Sequence, residues 1–212
     1  ETEKERTATI RKIDGDWTTP QMNGWKSEIH KYAVQPIQQF RYTTGKNNTD
    51  SALIIDAMDI LHQNLVEGFC IVSSDSDYTR LATRIRESGM FIMGIGEKKT
   101  PEAFVKACVR FVYTENIIPQ TEEETEKIQK KSQKGKTRQE IINMITTAYD
   151  MSVKDGDLVL LSNIGLSLRK IEPGFDSRTY GYKKMIDMIN AYPDKFELIM
   201  TEASNQPVYY MK

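Results

Sequence analysis

Along the first half of the chain, short apolar runs alternate with stripes of helical spacing. Strands are expected at residues 7–13, 35–42, 69–72, 90–95 and 109–113, and helices at 20–33, 50–64, 78–87 and 101–107. The 50–64 helix carries the clearest stripe, with Leu53, Ile54, Ala57, Ile60 and Leu61 three or four residues apart. Asn48 or Thr49 can cap that helix, Pro20 suits a first helical turn, and Gly89 stops the 78–87 helix. Strand and helix in repeated alternation, with apolar strands, predict an α/β fold: a mostly parallel sheet flanked by helices on both faces.

The pattern changes after residue 115. Glu122, Glu123, Glu124 and Glu126 are followed by Lys127, Lys130, Lys131, Lys134 and Lys136, a solvated linker or exposed helix that marks a domain boundary. Beyond it, helices at 137–149, 161–171 and 177–190 precede strands at 196–200 and 208–211, with a polar turn at Ser204 and Asn205. Helices ahead of a terminal hairpin fit a small winged helix-turn-helix. The expected organisation is a first domain over 1–115, a charged linker over 116–136 and a second domain over 137–212.

Composition narrows the class. With 39% hydrophobic and 28% charged residues, a globular chain is expected rather than a wholly disordered one. No apolar run is long enough to span a bilayer, and no signal peptide opens the sequence, so no membrane role is expected. Cys70 and Cys108 sit within apolar runs, which suits reduced thiols and a cytoplasmic setting. The net charge of −1 argues neither for nor against nucleic acid, because a carboxylate cluster offsets a basic groove in the sum.

Parallel α/β sheets bind ligands outside the carboxyl ends of their strands. Ser73-Ser74-Asp75-Ser76-Asp77 follows the 69–72 strand there, and two aspartates one residue apart can converge on a hard cation. Asp50 begins the 50–64 helix on the same face as its apolar stripe, so it is expected to point towards the strand ends. The competing reading makes Asp75 and Asp77 turn formers, with Asp77 capping the helix at Tyr78, and Asp50 a plain first-turn acid. Spacing alone does not separate the two. Asp56 and Asp59 fall on other faces and read as solvated or structural.

Other chemistries fit poorly. His30 and His62 lie on predicted helices away from the polar turns, which disfavours a metal-free histidine-pair ribonuclease. No nucleophile elbow, phosphate-binding Walker loop or zinc-like Cys/His spacing occurs. Gly94-x-Gly96-Glu97-Lys98 is too short for a dinucleotide fingerprint and reads as a strand exit.

Four stretches taken together, Gly45–Asp50, Ile55–Asp59, Val72–Tyr78 and Gly94–Pro101, resemble the NYN domain, a PIN-like family. Gly15-Asp16-Trp17 adds to the likeness, which runs in register over 7–115. The resemblance implies metal-dependent RNA hydrolysis, with Asp50, Asp75 and Asp77 at the family's acidic positions, Mg²⁺ or Mn²⁺ as cofactor, and Asp56 at a recurrent acid of less defined role. The family opens with a central strand bearing an Asp ahead of the strand at 7–13. That strand is not recognised here, so 7–13 and 69–72 are expected not to pair with each other. Asp14 stands where relatives often carry an aromatic residue.

Pro173–Lys184 and Phe196-Glu197-Leu198 resemble the LOTUS (OST-HTH) domain over 137–212, which implies an RNA-binding or protein-docking winged helix. Arg178, Lys183 and Lys184 surround Tyr180 and Tyr182; cations contact phosphates and exposed rings stack on unpaired bases. Tyr180 reads as core, whereas Tyr182, the three cations and Lys46 are the candidate RNA contacts. The leading expectation is a ribonuclease that hydrolyses RNA phosphodiesters, with Asp50, Asp75 and Asp77 as catalytic metal ligands. The alternative is a non-catalytic RNA-binding scaffold with a degenerate PIN-like domain. The sequence leaves oligomeric state and substrate sequence open.

Overall fold

A computed structural model of the protein describes residues 7–40, 48–119, 121–153, 158–203 and 206–212. Its contacts divide it into two compact units, Glu1–Phe69 and Cys70–Lys212.

The first unit contains β1 (Lys12–Gly15), α1 (Asn23–Lys31), β2 (Gln35–Gln38) and α2 (Asn48–Gln63). β1 and β2 pair in parallel, with Lys12 opposite Gln35 and Gly15 opposite Gln38. α1 makes the crossover and buries Ile29. β1 starts later than the expected 7–13, because its partner begins only at Gln35, after the chain turns at Ala33 (φ 51°). α2 buries Ala57 and Leu61 of the expected stripe and leaves Ile55 outside. Trp17 ties the loop after β1 to β2: its indole N–H donates to the Ile37 carbonyl (3.0 Å) and its backbone N–H to Gln38 Oε1 (3.1 Å).

β3 (Gly68–Val72) begins at the end of the first unit and runs into the second, which continues with α3 (Thr79–Glu87), β4 (Phe91–Gly96), α4 (Glu102–Ala107) and β5 (Arg110–Tyr113). The sheet order is β3-β4-β5, with β4 and β5 parallel and Met93 opposite Arg110. α3 contributes Leu81, Ala82 and Ile85 to the core, and α4 contributes Phe104, Val105 and Ala107. As expected, the β1–β2 and β3-β4-β5 sheets are separate ladders among the described residues.

The same unit continues through α5 (Glu122–Ser132), α6 (Gly135–Asp150), β6 (Val159–Leu160), α7 (Leu161–Ile171), α8 (Met185–Asn190), β7 (Leu198–Ala203) and β8 (Gln206–Met211). The antiparallel order β6-β8-β7 packs against helices around Ile145, Ile164, Leu168, Met188 and Tyr192. The single helix expected over 177–190 is broken. Ser177–Tyr180 forms a 3₁₀ turn, and Gly181 then takes φ 87°, which an L side chain tolerates poorly. A Cβ there would also lie 2.8 Å from the Gln129 backbone nitrogen. The polar turn expected at Ser204 and Asn205 lies outside the described residues.

Of the two forms expected for the charged segment, a solvated linker or an exposed helix, the structure has the helix, α5, exposed along most of its length. Thr121 and Glu124 form a capping box at its start. Gln129 Nε2 donates to the Gly181 carbonyl (2.6 Å), Ser132 Oγ to the Tyr180 carbonyl (3.0 Å), and the Tyr192 hydroxyl to the Ser132 carbonyl (3.2 Å). Its charges face outward while these polar contacts seat its inner side. The β3-β4-β5 sheet and the winged helix are also joined directly. Phe111 N–H donates to the Pro173 carbonyl (2.8 Å), and Asn116 Nδ2 donates to Thr179 Oγ1 (2.8 Å).

Candidate active site and RNA-facing residues

β3 ends at Val72, and the chain turns at once. The Ser73 N–H donates to the Ile95 carbonyl (2.9 Å), extending the contact with β4 by one residue. Ser73 Oγ accepts from the Asp75 N–H (3.1 Å), and Asp75 Oδ1 accepts from the Asp77 N–H (3.0 Å). Asp75 therefore caps the 3₁₀ turn Ser76–Tyr78. The cap that the competing reading gave to Asp77 belongs to Asp75, because a carboxylate reaches the N–H two residues ahead of it. Both carboxylates are exposed at the carboxyl end of β3.

The neighbouring loop is fixed against this turn. The Glu97 N–H donates to Ser74 Oγ (2.9 Å), and Thr100 Oγ1 to the Glu97 carbonyl (2.6 Å). Gly96 makes the approach possible, since a Cβ there would lie 2.5 Å from the Ser73 carbonyl oxygen. Glu115 accepts from the Lys98 N–H at 2.9 and 3.1 Å. Burial pushes the Glu115 carboxyl up, but hydrogen bonds from Lys98 and Thr114 outweigh it and hold its pKa below the ordinary value. Ser73, Ser74, Gly96 and Glu115 escaped the sequence reading as positioning groups; the paired serines ahead of the Asp pair were the available signal.

In the winged helix, Arg178 grips Asp176 with two nitrogens, Nε to Oδ1 (2.9 Å) and Nη2 to Oδ2 (2.6 Å). Burial opposes ionisation of Asp176, yet the Arg178 hydrogen bonds prevail and lower its pKa. Lys183 and Lys184 are exposed. Tyr182 corrects an expectation: its ring is only 4% exposed, within the core, and its hydroxyl accepts from Gln133 Nε2 (3.2 Å). The helix expected to display it breaks at Gly181, which turns Tyr182 inward, so it offers no stacking face. Tyr180 packs against the same core, as expected, and burial raises its hydroxyl to about 12.

The sequence model of the NYN domain matches residues 1–117, and that of the OST-HTH/LOTUS domain matches 134–208. The chain belongs to the NYN domain family. Its C-terminal module is an OST-HTH/LOTUS domain, and both resemblances read from the sequence hold. The pairing joins a nuclease-type domain to an RNA-binding one. A solution NMR structure of an uncharacterized protein from Nitrosomonas europaea is 34% identical, covering 34% of this chain and 70% of that one, with a TM-score of 0.31. No curated protein matches the chain.

Within the NYN domain the remaining acids take distinct places. Asp50 stands in the first turn of α2, in the unit Glu1–Phe69, whereas the Asp75/Asp77 turn belongs to Cys70–Lys212. Asp56 is structural, paired to Lys12 Nζ at 2.6 Å, and Asp59 is exposed. Asp14 Oδ1 is buried without a hydrogen-bond partner. Burial and then the Asp56 carboxylate raise the Asp14 pKa, against a Gln39 hydrogen bond and Lys12. His30 and His62 are exposed on α1 and α2. Lys46 lies outside the described residues.

In kind, the Asp75 and Asp77 oxygens suit a hard divalent cation. In number they are two, and among the described residues no three His, Cys, Asp or Glu side chains gather as a metal site. No helix of the described residues is long and apolar enough to cross a membrane.

Proposed function

We propose that this NYN protein is a divalent-metal-dependent ribonuclease that hydrolyses RNA phosphodiesters, with its OST-HTH/LOTUS domain holding the RNA. The observation that carries the reading is the exposed Asp75/Asp77 pair at the carboxyl end of β3, in a turn braced by Ser73, Ser74 and Gly96. Asp75 would present its carboxylate from a cap that fixes its orientation, and Asp77 would add a second from the turn that follows; Asp50 is a candidate ligand on the sequence resemblance alone. Mg²⁺ or Mn²⁺ bound there would supply activation of water for in-line attack and charge neutralisation at the phosphate. Lys46, Lys183 and Lys184 would contact the RNA backbone, whereas Arg178, the fourth candidate cation, is engaged by Asp176. A cytoplasmic setting goes with this reading and rests on the sequence alone.

Cleavage of labelled single-stranded RNA in Mn²⁺ tests the proposal. Asp75→Asn keeps the shape of the cap and should abolish cleavage, with a circular dichroism spectrum and melting temperature like the parent's. Full activity in Asp75→Asn would reject it. The incomplete acid cluster among the described residues favours a second reading, a non-catalytic RNA-binding scaffold. Metal-independent RNA binding without cleavage by the parent protein would support that reading instead.

A further inference from the structure

We infer that the cavity between β5 and the stretch of the LOTUS module from the end of α7 to Arg178 is a ribose-phosphate subsite for single-stranded RNA. The inference rests on the RNA-directed reading above and adds a defined place where the strand is held. The cavity has a volume of about 60 Å³. A single water needs roughly 10–15 Å³ on the same measure, so the space admits the four oxygens of a phosphate group.

Three arginines line it: Arg110 on β5, and, far along the chain from it, Arg169 in the last turn of α7 and Arg178. Arg178 is committed to Asp176, the one carboxylate of the lining, and the two charges offset each other. No ion pair engages Arg110 or Arg169 among the described residues. Two guanidinium charges thus remain for an anion, and a guanidinium fork suits phosphate oxygens.

A second observation comes from Asn116 on the same wall. The residue is 4% exposed, its Nδ2 donates to Thr179 Oγ1 (2.8 Å), and its Oδ1 is buried with no hydrogen-bond partner. Buried polar atoms are paired in the great majority of cases, so an orphan acceptor on a cavity wall points to a donor from a ligand. A phosphate has no donor to give at neutral pH, but the adjoining ribose has its 2′-hydroxyl, the group that distinguishes RNA from DNA. Arg110 and Arg169 would take the phosphate and Asn116 the 2′-hydroxyl. The strand would then bridge the NYN domain's β5 and the LOTUS module, which meet at the Phe111–Pro173 hydrogen bond.

The test is fluorescence anisotropy of the full chain with a short labelled single-stranded RNA, and with DNA of the same sequence, in EDTA so that no cleavage intervenes. Arg110→Gln and Arg169→Gln should each weaken RNA binding roughly 3- to 10-fold and lower the slope of log K against log salt by about 0.7 for each phosphate no longer neutralised. Arg110→Lys and Arg169→Lys should restore most of the affinity, which a folding defect would not allow. Asn116→Ala should narrow the preference for RNA over DNA. Unchanged affinity and salt slope in both glutamine variants, with RNA still bound, would overturn the subsite and leave the RNA-directed reading standing. If the parent protein binds no RNA, the RNA assignment falls. Inorganic phosphate followed by amide NMR shifts at Phe111, Asn116 and Arg178 then judges the cavity alone: shifts lost in the double glutamine variant keep an anion site, and no shifts remove it.

Discussion

Among the described residues of the unit Glu1–Phe69, the buried apolar side chains are Ile29, Ala57 and Leu61, and the strands form one parallel pair. In Cys70–Lys212 two three-stranded sheets carry helical cover, and Ile85, Phe104, Ile145, Leu168 and Tyr192 are all fully enclosed. A two-stranded sheet is marginal by itself, and parallel strands are ordinarily covered on both faces. β1 and β2 are only partly covered, so polar links such as Lys12–Asp56 and Trp17–Ile37 carry a larger share of their order. The candidate chemistry is divided along the same line. Asp50 stands on the lightly packed unit, and the Asp75/Asp77 turn on the well-packed one.

Core truncations should expose this contrast most strongly. Phe104→Ala, at a fully buried ring, should cost about 3–5 kcal/mol, whereas Leu61→Ala should fall near the low end of the Leu→Ala range, about 2 kcal/mol. Urea unfolding followed by circular dichroism measures both, and equal losses would break the comparison. Gly96→Ala comes next. Its Cβ would press on the Ser73 carbonyl at 2.5 Å and on Thr100 Oγ1 at 2.7 Å, an overpacking cost of about 1–3 kcal/mol. The same substitution should weaken Mn²⁺ binding at the Asp75/Asp77 turn; unaltered stability would show that the strand exit has room to move.

The smallest effect concerns Asp14. Its pKa is raised in the folded protein above the ordinary 3.8, so the folded state holds its proton to higher pH than the unfolded chain does. Stability from this group is therefore fully present below the unfolded value and is lost as pH rises through the raised folded value. Asp14→Asn should accordingly be more stable than the parent at neutral pH, with the difference shrinking as pH falls towards 4. Melting temperatures across that range give the sign, and a parent protein that outlasts Asp14→Asn at neutral pH would contradict it.

Elements with a strong local pattern were legible in the sequence. The stripe of α2 and the apolar run of β3 were both set by residues close together, and the polar turn read after β3 stands at the end of that strand. What escaped depends on partners far along the chain. β6 is two residues long and exists only through its ladder with β8. Helical spacing read 177–190 as continuous, although Gly181 needs a positive φ to let α5 approach. That break buried Tyr182, which had looked like an exposed ring. The spacing of Asp75 and Asp77 did not say which of them caps the turn. Arg110, Asn116 and Arg169 carry no joint signature, since only the docking of the winged helix on β5 brings them to one cavity.

The central proposal is that the Asp75/Asp77 turn at the carboxyl end of β3 holds a divalent cation. Substoichiometric Mn²⁺ added to the isotopically labelled full chain tests it most directly, because the ion broadens only the amide signals near it. The account predicts that Asp75 and Asp77 fade first and together, and that Asp75→Asn removes the effect while leaving the remaining spectrum in place. Broadening centred on Asp14 and Asp56, or on the glutamates of α5, with Asp75 and Asp77 untouched, would contradict it.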